Sequence, residues 1–430
     1  MKRISIVTLA AALVLLSGCN KEHTTSVDID LDNGSDMQLI KLGGSTGLVS
    51  ATTRASVESL AEMTGQMGIF CLAARSTDVK NAPNPSTINW GTVVSNDIEK
   101  YGSTTNGRYW DNVCCEVKPD GDIYRIVPTA DQFYYPYYPT TSLYGYDFYG
   151  YYPYQSAATY ANGVISVDMN ISGVTDIIYG RSEVIDQAYV DALEDELSDE
   201  LKNKLASNWK ETMIKSHYSA RFFRKHPKLI DDAKMQLEHK LARFCFYVYP
   251  GPNKDYEDPR KYEGAKKLHV HEISINGVED QLKLVIADKN NPANSGKLLA
   301  RTNHTTNFVL CNEEGRSLAN IDPVKLETEL NEKGEEVPVY KKLGDCIMLL
   351  HGKNSHLMSV TLADEEGNIY PSETQIAITI TDNATGTKKF EPGKTYNVYL
   401  QVSGIKNIGV TAELVDWQVS DQEMDLVEFN

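Results

Sequence analysis

The sequence predicts an all-β protein with a helical insertion, built as two β-sandwich domains in tandem. Three observations predict this. Short apolar or alternating runs recur, separated by turn-forming clusters such as Asn81-Ala82-Pro83-Asn84-Pro85-Ser86. One stretch, 186–236, breaks that pattern with apolar residues at helical spacing. Of 430 residues, 412 remain after the 18 that precede Cys19, a length suited to two or three domains.

Lys2 and Arg3 precede an apolar run from Ile4 to Leu16, and Ser17-Gly18-Cys19 follows. A basic start, a short apolar run and small residues before a cysteine read as a lipoprotein signal peptide over 1–18. The run is too short to cross a bilayer. Cys19 is the predicted lipid attachment residue, which implies a bacterial cell envelope and a lipid anchor. The alternative is an ordinary signal peptide with an unrelated cysteine. The net charge of −17 becomes −19 without Lys2 and Arg3. So acidic a chain makes nucleic acid and anionic lipid poor partners.

Residues 19–54 form a polar leader. Val27 to Leu31 alternates as a short strand. It is not a calcium loop, because Gly34 does not fall at position six and Leu39 stands at position twelve. A second candidate leader strand contains Met37, Leu39, Ile40 and Leu42, with Met37, Leu39 and Lys41 expected on one face.

From residue 55 to 236 runs the expected N-terminal sandwich. Met67 to Ala73 and Gly163 to Met169 are typical strand runs. Ten of the 22 residues from Phe133 to Tyr154 are tyrosine. Tyr146, Phe148, Gly150 and Tyr152 alternate with Asp147, Tyr149 and Tyr151, the period of a strand, and aromatics suit a half-buried pleat. This part reads as a core strand. The preceding part holds Pro136 and Pro139, so it reads as a loop or edge. Tyr134, Tyr135, Tyr137 and Tyr138 are therefore the candidate ligand-facing aromatics.

Within 186–236, Tyr189, Leu193, Leu197, Leu201 and Leu205 recur every four residues, and Pro227 ends the pattern. Two or three helices are expected, as a solvated lid over a sheet edge or as a partner-binding element. From 237 to 430 the β pattern returns as a second sandwich. Ala242, Phe244, Phe246 and Val248 alternate with Arg243, Cys245 and Tyr247. Hairpins are expected over Val360 to Ile380 and Tyr396 to Trp417, with turns longer than two residues. The charged segment Glu327 to Val337 reads as a loop. Cys71, Cys114, Cys115, Cys245, Cys311 and Cys346 show no zinc spacing. They read mostly as small buried hydrophobes, with one or two disulfides open to an exported chain.

No nucleophile, phosphate-loop, dinucleotide or zinc-protease motif is present, so neither catalysis nor a cofactor is expected. His269 and His271 share a strand face and suggest a metal only weakly, without a third ligand. No carboxylate pair stands out as a glycosidase pair.

Four stretches together resemble the fimbrillin family, the subunits of type V pili: Tyr146-Asp147-Phe148-Tyr149-Gly150-Tyr151-Tyr152-Pro153, Asp176-Ile177-Ile178-Tyr179-Gly180, His239-Lys240-Leu241-Ala242-Arg243 and Phe390-Glu391-Pro392-Gly393-Lys394-Thr395-Tyr396. The resemblance implies tandem transthyretin/immunoglobulin-like sandwiches and a structural, adhesive role at the cell surface. It implies export as a lipoprotein by the lipoprotein export machinery and cleavage by an Arg-specific protease between Arg54 and Ala55. Polymerisation with other pilin subunits would then follow, by strand exchange. The tail supplies a candidate donor strand, 419–430, with Val419, Met424, Leu426, Val427 and Phe429, unless these pair within their own domain. The helical insertion departs from a plain stalk subunit and points to a tip or accessory role. The rival expectation is a surface-anchored glycan-binding lipoprotein that keeps its leader and stacks sugars on tyrosines such as Tyr149 and Tyr151. A host glycan or protein is the expected receptor in either case.

Overall fold

The computed structural model describes residues 40–44, 65–73, 110–120, 123–129, 145–218, 233–251, 268–288, 290–382, 386–405 and 407–415. The chain divides into units 1–36 and 37–430, and every described residue lies in the second.

The N-terminal half contributes β1 (Leu42–Gly44), β2 (Met67–Ala73), β3 (Val113–Asp120), β4 (Ile123–Pro128), β5 (Tyr146–Tyr152), β6 (Thr159–Ala161), β7 (Val164–Asn170) and β8 (Ile178–Ser182). Helices α1 (Gln187–Glu196), α2 (Asp199–Lys202) and α3 (Trp209–Ser216) follow, then β9 (Ala233–His239). The rest of the chain forms β10 (Leu241–Pro250), β11 (Leu268–Glu279), β12 (Gln281–Asp288), β13 (Leu298–Ala300), β14 (Thr305–Val309), β15 (Thr328–Leu330), β16 (Glu336–Pro338) and β17 (Lys341–Leu350). It ends with β18 (Ser355–Asp364), β19 (Ile369–Pro371), β20 (Ile376–Asp382), β21 (Gly386–Lys388), β22 (Thr395–Gly404) and β23 (Asn407–Val415).

The protein is mostly β, as expected, but its first part is not a simple sandwich. Seven strands close a barrel in the order β1-β4-β3-β2-β5-β8-β9. Closure removes the free edges that an open sheet would leave. In the second part, sheet β17-β10-β22-β23 and sheet β14-β11-β18-β20-β21 bury their facing residues in one core, among them Phe244, Val398, Ile273 and Val360. The halves also interleave. β7 pairs with β12, as in Leu282 with Met169 and Leu284 with Val167.

β5 shows how the cores connect. It lies between β2 and β8. Tyr146 and Phe148 fill the barrel interior with Met67, Ile69 and Met235. Tyr149 and Tyr151, on the opposite face, join Phe70 and Tyr179 in the core shared with β10, β12 and β22. The aromatic strand is therefore buried on both faces because it forms the wall between two cores.

The helices occupy only part of 186–236. Asp186 caps α1 by accepting the Tyr189 N–H at 2.9 Å. Val190, Trp209, Met213 and Ile214 are buried in the barrel core, with Leu193, Leu197 and Leu205 partly buried against it. The excursion is thus a lid on the barrel. Residues 233–236, expected within the insertion, belong instead to β9, where Ala233, Met235 and Leu237 are buried alternately with exposed neighbours. Period two outweighs the helical pattern that precedes it.

Two local expectations are corrected, on the β22–β23 turn and the segment Glu327 to Val337, and the cysteines are as expected. Gly404 pairs with Asn407, so the β22–β23 turn has two residues; a register shift between Val402 and Gly404 brings the strand ends together. The segment Glu327 to Val337 contains most of the β15–β16 hairpin, because the Asn331 carboxamide oxygen accepts the N–H groups of Lys333 and Glu335 and Gly334 adopts φ 76°. Cys245 and Cys346 form a disulfide between β10 and β17, while Cys71, Cys114 and Cys115 are buried thiols, as small hydrophobes would be.

Candidate functional site

The candidate site is the slot that holds β1. Leu42 pairs with Ile126 and Gly43 with Arg125, antiparallel to β4. On its other side β1 runs parallel to β9, with Leu42 opposite Ala233, Gly43 opposite Lys234 and Gly44 opposite Met235. The Ala233 N–H donates to the Lys41 carbonyl at 3.1 Å. The far edges of β4 and β9 are taken by β3 and β8. This three-residue strand is therefore the barrel's closing stave.

Its side chains divide by parity. Ile40 and Leu42 are buried, and Lys41 is half-buried. Ile40 and Leu42 thus face inward, and Lys41, expected on one face with Met37 and Leu39, is less buried than they are. Strand period two flips every side chain when the register moves by one, and the pairing with Ile126 sets that register. A Cβ added at Gly43 would meet nothing within 4 Å, so the outward face is open there. Burying Leu42 contributes about 1.5–3 kcal/mol. A strand of three residues, anchored by Leu42 and by Ile40 just before it, pairs with β4 at only two positions, a weak hold beside the six pairs that join β3 to β4.

Of the predicted site residues, Ile40 and Leu42 lie in this slot. Cys19, Met37, Leu39, Arg54, Ala55, Tyr134, Tyr135, Tyr137 and Tyr138 lie outside the described residues, as do Val27 to Leu31 and Val419, Met424, Leu426, Val427 and Phe429. Tyr149 and Tyr151 are not at a surface where sugars could stack. Both are buried. The Tyr151 hydroxyl donates to Asn112 Oδ1 at 2.8 Å and accepts from the Gln155 N–H at 3.1 Å. His269 is half-buried, and burial followed by the neighbouring His271 holds its ring below the usual histidine range. No group of three metal ligands occurs among the described residues.

The motif stretches have visible structural work. In Phe390 to Tyr396, the Phe390 ring packs edge-on to Phe244 and Tyr396, with centroids 4.8 and 4.9 Å away. The Tyr396 hydroxyl accepts the Glu391 N–H at 2.8 Å, and Gly393 takes φ 65° to make the turn.

No protein-family profile and no curated protein match this chain. Solved structures do. A fimbrial protein from Bacteroides vulgatus ATCC 8482 matches with a TM-score of 0.44 at 12% identity, over 89% of this chain and 100% of that one. A fimbrilin from Porphyromonas gingivalis W83 matches with a TM-score of 0.39 at 10% identity, over 90% and 99%. The fimbrial anchor protein Mfa2 from Porphyromonas gingivalis matches with a TM-score of 0.29 at 8% identity, over 89% and 99%.

Proposed function

We propose that this protein is a structural subunit of a surface pilus, exported as a lipoprotein on Cys19 and activated by proteolysis between Arg54 and Ala55. Cleavage there severs the leader, β1 included, from residues 55–430. Another subunit's strand then takes the place of β1. The tail 419–430 is the proposed donor, the Arg-specific protease the processing partner, and the helical lid the mark of a tip or accessory position. The expected division into 55–236 and 237–430 is proposed with its boundary moved to the end of β9, so that the N-terminal body keeps the whole barrel strand Ala233–His239. No catalytic role is proposed.

The observation that carries this reading is the position of β1. A short strand from the leader bridges β4 and β9 and buries Ile40 and Leu42. Its loss leaves two rows of unpaired backbone groups beside an apolar gap, which a new strand satisfies.

The test is to treat the purified precursor with an Arg-specific protease, sequence the new N-terminus and image the product. A chain beginning at Ala55 that forms filaments is the expected result. No discrete cut near Arg54, or a cut protein that stays monomeric, overturns the reading. Protein from intact cells that still starts at lipidated Cys19 points to an anchor subunit or to the glycan-binding alternative.

A further inference from the structure

His217 is buried at the C-terminal end of α3, where the helical lid meets the barrel. Its Nδ1 lies 2.8 Å from the Ile214 carbonyl oxygen, and its Nε2 lies 3.5 Å from Asp147 Oδ1 on β5. A carbonyl and a carboxylate only accept. Nδ1 must therefore carry a proton to bond Ile214, and Nε2 must carry one to attract Asp147. Only the imidazolium satisfies both contacts. The helix C-terminus favours that cation as well.

The attachment extends beyond one side chain. The Tyr146 N–H donates to the His217 carbonyl at 2.9 Å. A Cβ at Gly145 would come within 2.4 Å of the His217 ring, so the chain passes directly against it. We propose that His217 is a proton-dependent latch: as the imidazolium it pins the helical lid to the start of β5, and its deprotonation loosens the lid from the barrel.

Among the described residues the charged and titratable neighbours can be named. Arg181 on β8 places NH2 3.7 Å from the same Asp147 oxygen and stacks over Tyr149 at 5.7 Å. Among the described residues, Tyr149 on β5, Tyr179 on β8, Tyr218 beside His217 and Tyr189 on α1 are the phenols with raised pKa values here, beside the Tyr146 ring in the same core, with Glu183 at the start of the lid. All four phenols are held above the ordinary tyrosine range, mainly by burial, so they stay neutral. Arg181 keeps Asp147 paired when His217 is neutral, so the loss is local to the lid and not a collapse of the barrel. Burial alone would lower the His217 pKa, but Asp147 and Ile214 more than offset it and leave it raised. The latch is therefore closed below the ordinary histidine pKa of 6.5 and opens as pH rises through the higher folded value.

Backbone hydrogen exchange on the full chain tests this. After correction for intrinsic rates, peptides from 187–216 should lose about tenfold or more protection between about pH 6 and about pH 9, while β10 and β22 peptides should not. His217→Gln should remove that difference. Equal pH dependence of the lid in wild type and His217→Gln overturns the proposal. Should the variant fold poorly, histidine ring NMR on the wild-type protein decides the matter. A His217 resonance that titrates at or below 6.5 overturns the proposal.

Discussion

His239 Nδ1 stands 2.5 Å from Asp176 Oδ2, with the carboxylate side chain 1% exposed. The two residues are 63 positions apart and belong to two of the motif stretches that suggested a family. They join the approach to β8 to the end of β9, where the barrel passes into β10. Beside them the Lys240 N–H donates to the Ile177 carbonyl at 2.7 Å. Removing one partner of a buried pair strands the other. Asp176→Ala is expected to cost about 2–4 kcal/mol in urea denaturation, and Asp176→Asn, which keeps a hydrogen bond, clearly less. Equal losses in the two variants would show that the contact adds nothing beyond packing.

The closing stave makes a paired prediction. Leu42→Ala in the uncut protein should lower stability by about 2–5 kcal/mol, because Leu42 is buried in the barrel core. Gly43→Ala should change it by less than about 0.5 kcal/mol, since the added methyl meets open space. Thermal unfolding of both variants measures the contrast, and indistinguishable melting temperatures would remove β1 from the barrel's energetics.

His356 is buried between Phe390, stacked at 5.2 Å, and Phe244, edge-on at 5.3 Å. Burial, and then nearby Lys353, push its pKa down to about 4. The folded state therefore holds the neutral ring while the unfolded state takes a proton from about pH 6.5 downward. Its stabilising contribution is complete above that value and is lost as pH falls through the window to about 4. The loss reaches about 3 kcal/mol by the lower limit. His356→Phe keeps the ring contacts and should flatten that part of the stability–pH curve. A variant curve parallel to wild type across the window would refute the assignment.

The disulfide closes a loop with a sequence separation of 101 residues. Replacing Cys245 and Cys346 together by Ala is expected to cost about 3–5 kcal/mol, by freeing the unfolded chain. Guanidinium denaturation of wild type and double variant under non-reducing conditions measures it. Equal midpoints would count against the bond's formation in solution.

Much of the fold was legible because it is local. The alternation in Tyr146 to Tyr152 marked β5, and the four-residue spacing from Tyr189 marked a helical region. The Phe390 to Tyr396 stretch carried its own turn glycine and its own aromatic anchors. Other features were illegible because they depend on pairing between distant segments. The helical reading ran on into 233–236, since nothing local shows that Ala233 faces Leu42. That Ile40 and Leu42 face inward and Lys41 does not was not legible either, because parity is set by the register against β4. The Cys245–Cys346 bond required β10 and β17 to be neighbours, and spacing along the chain does not encode that. His217 gave no signal at all. A histidine after a helix is ordinary until Asp147 is brought to its ring.

By itself the sequence determined the β-rich character of this protein, the site of its helical excursion, the buried aromatic strand and the leader's apolar residues, because each is written in local period and composition. Tertiary structure alone decided that the leader strand closes a barrel, which of its residues point inward, and that a lid histidine meets a strand aspartate. Those outcomes come from hydrogen-bond register and from the packing of one core against another, and both involve residues scores to hundreds of positions apart.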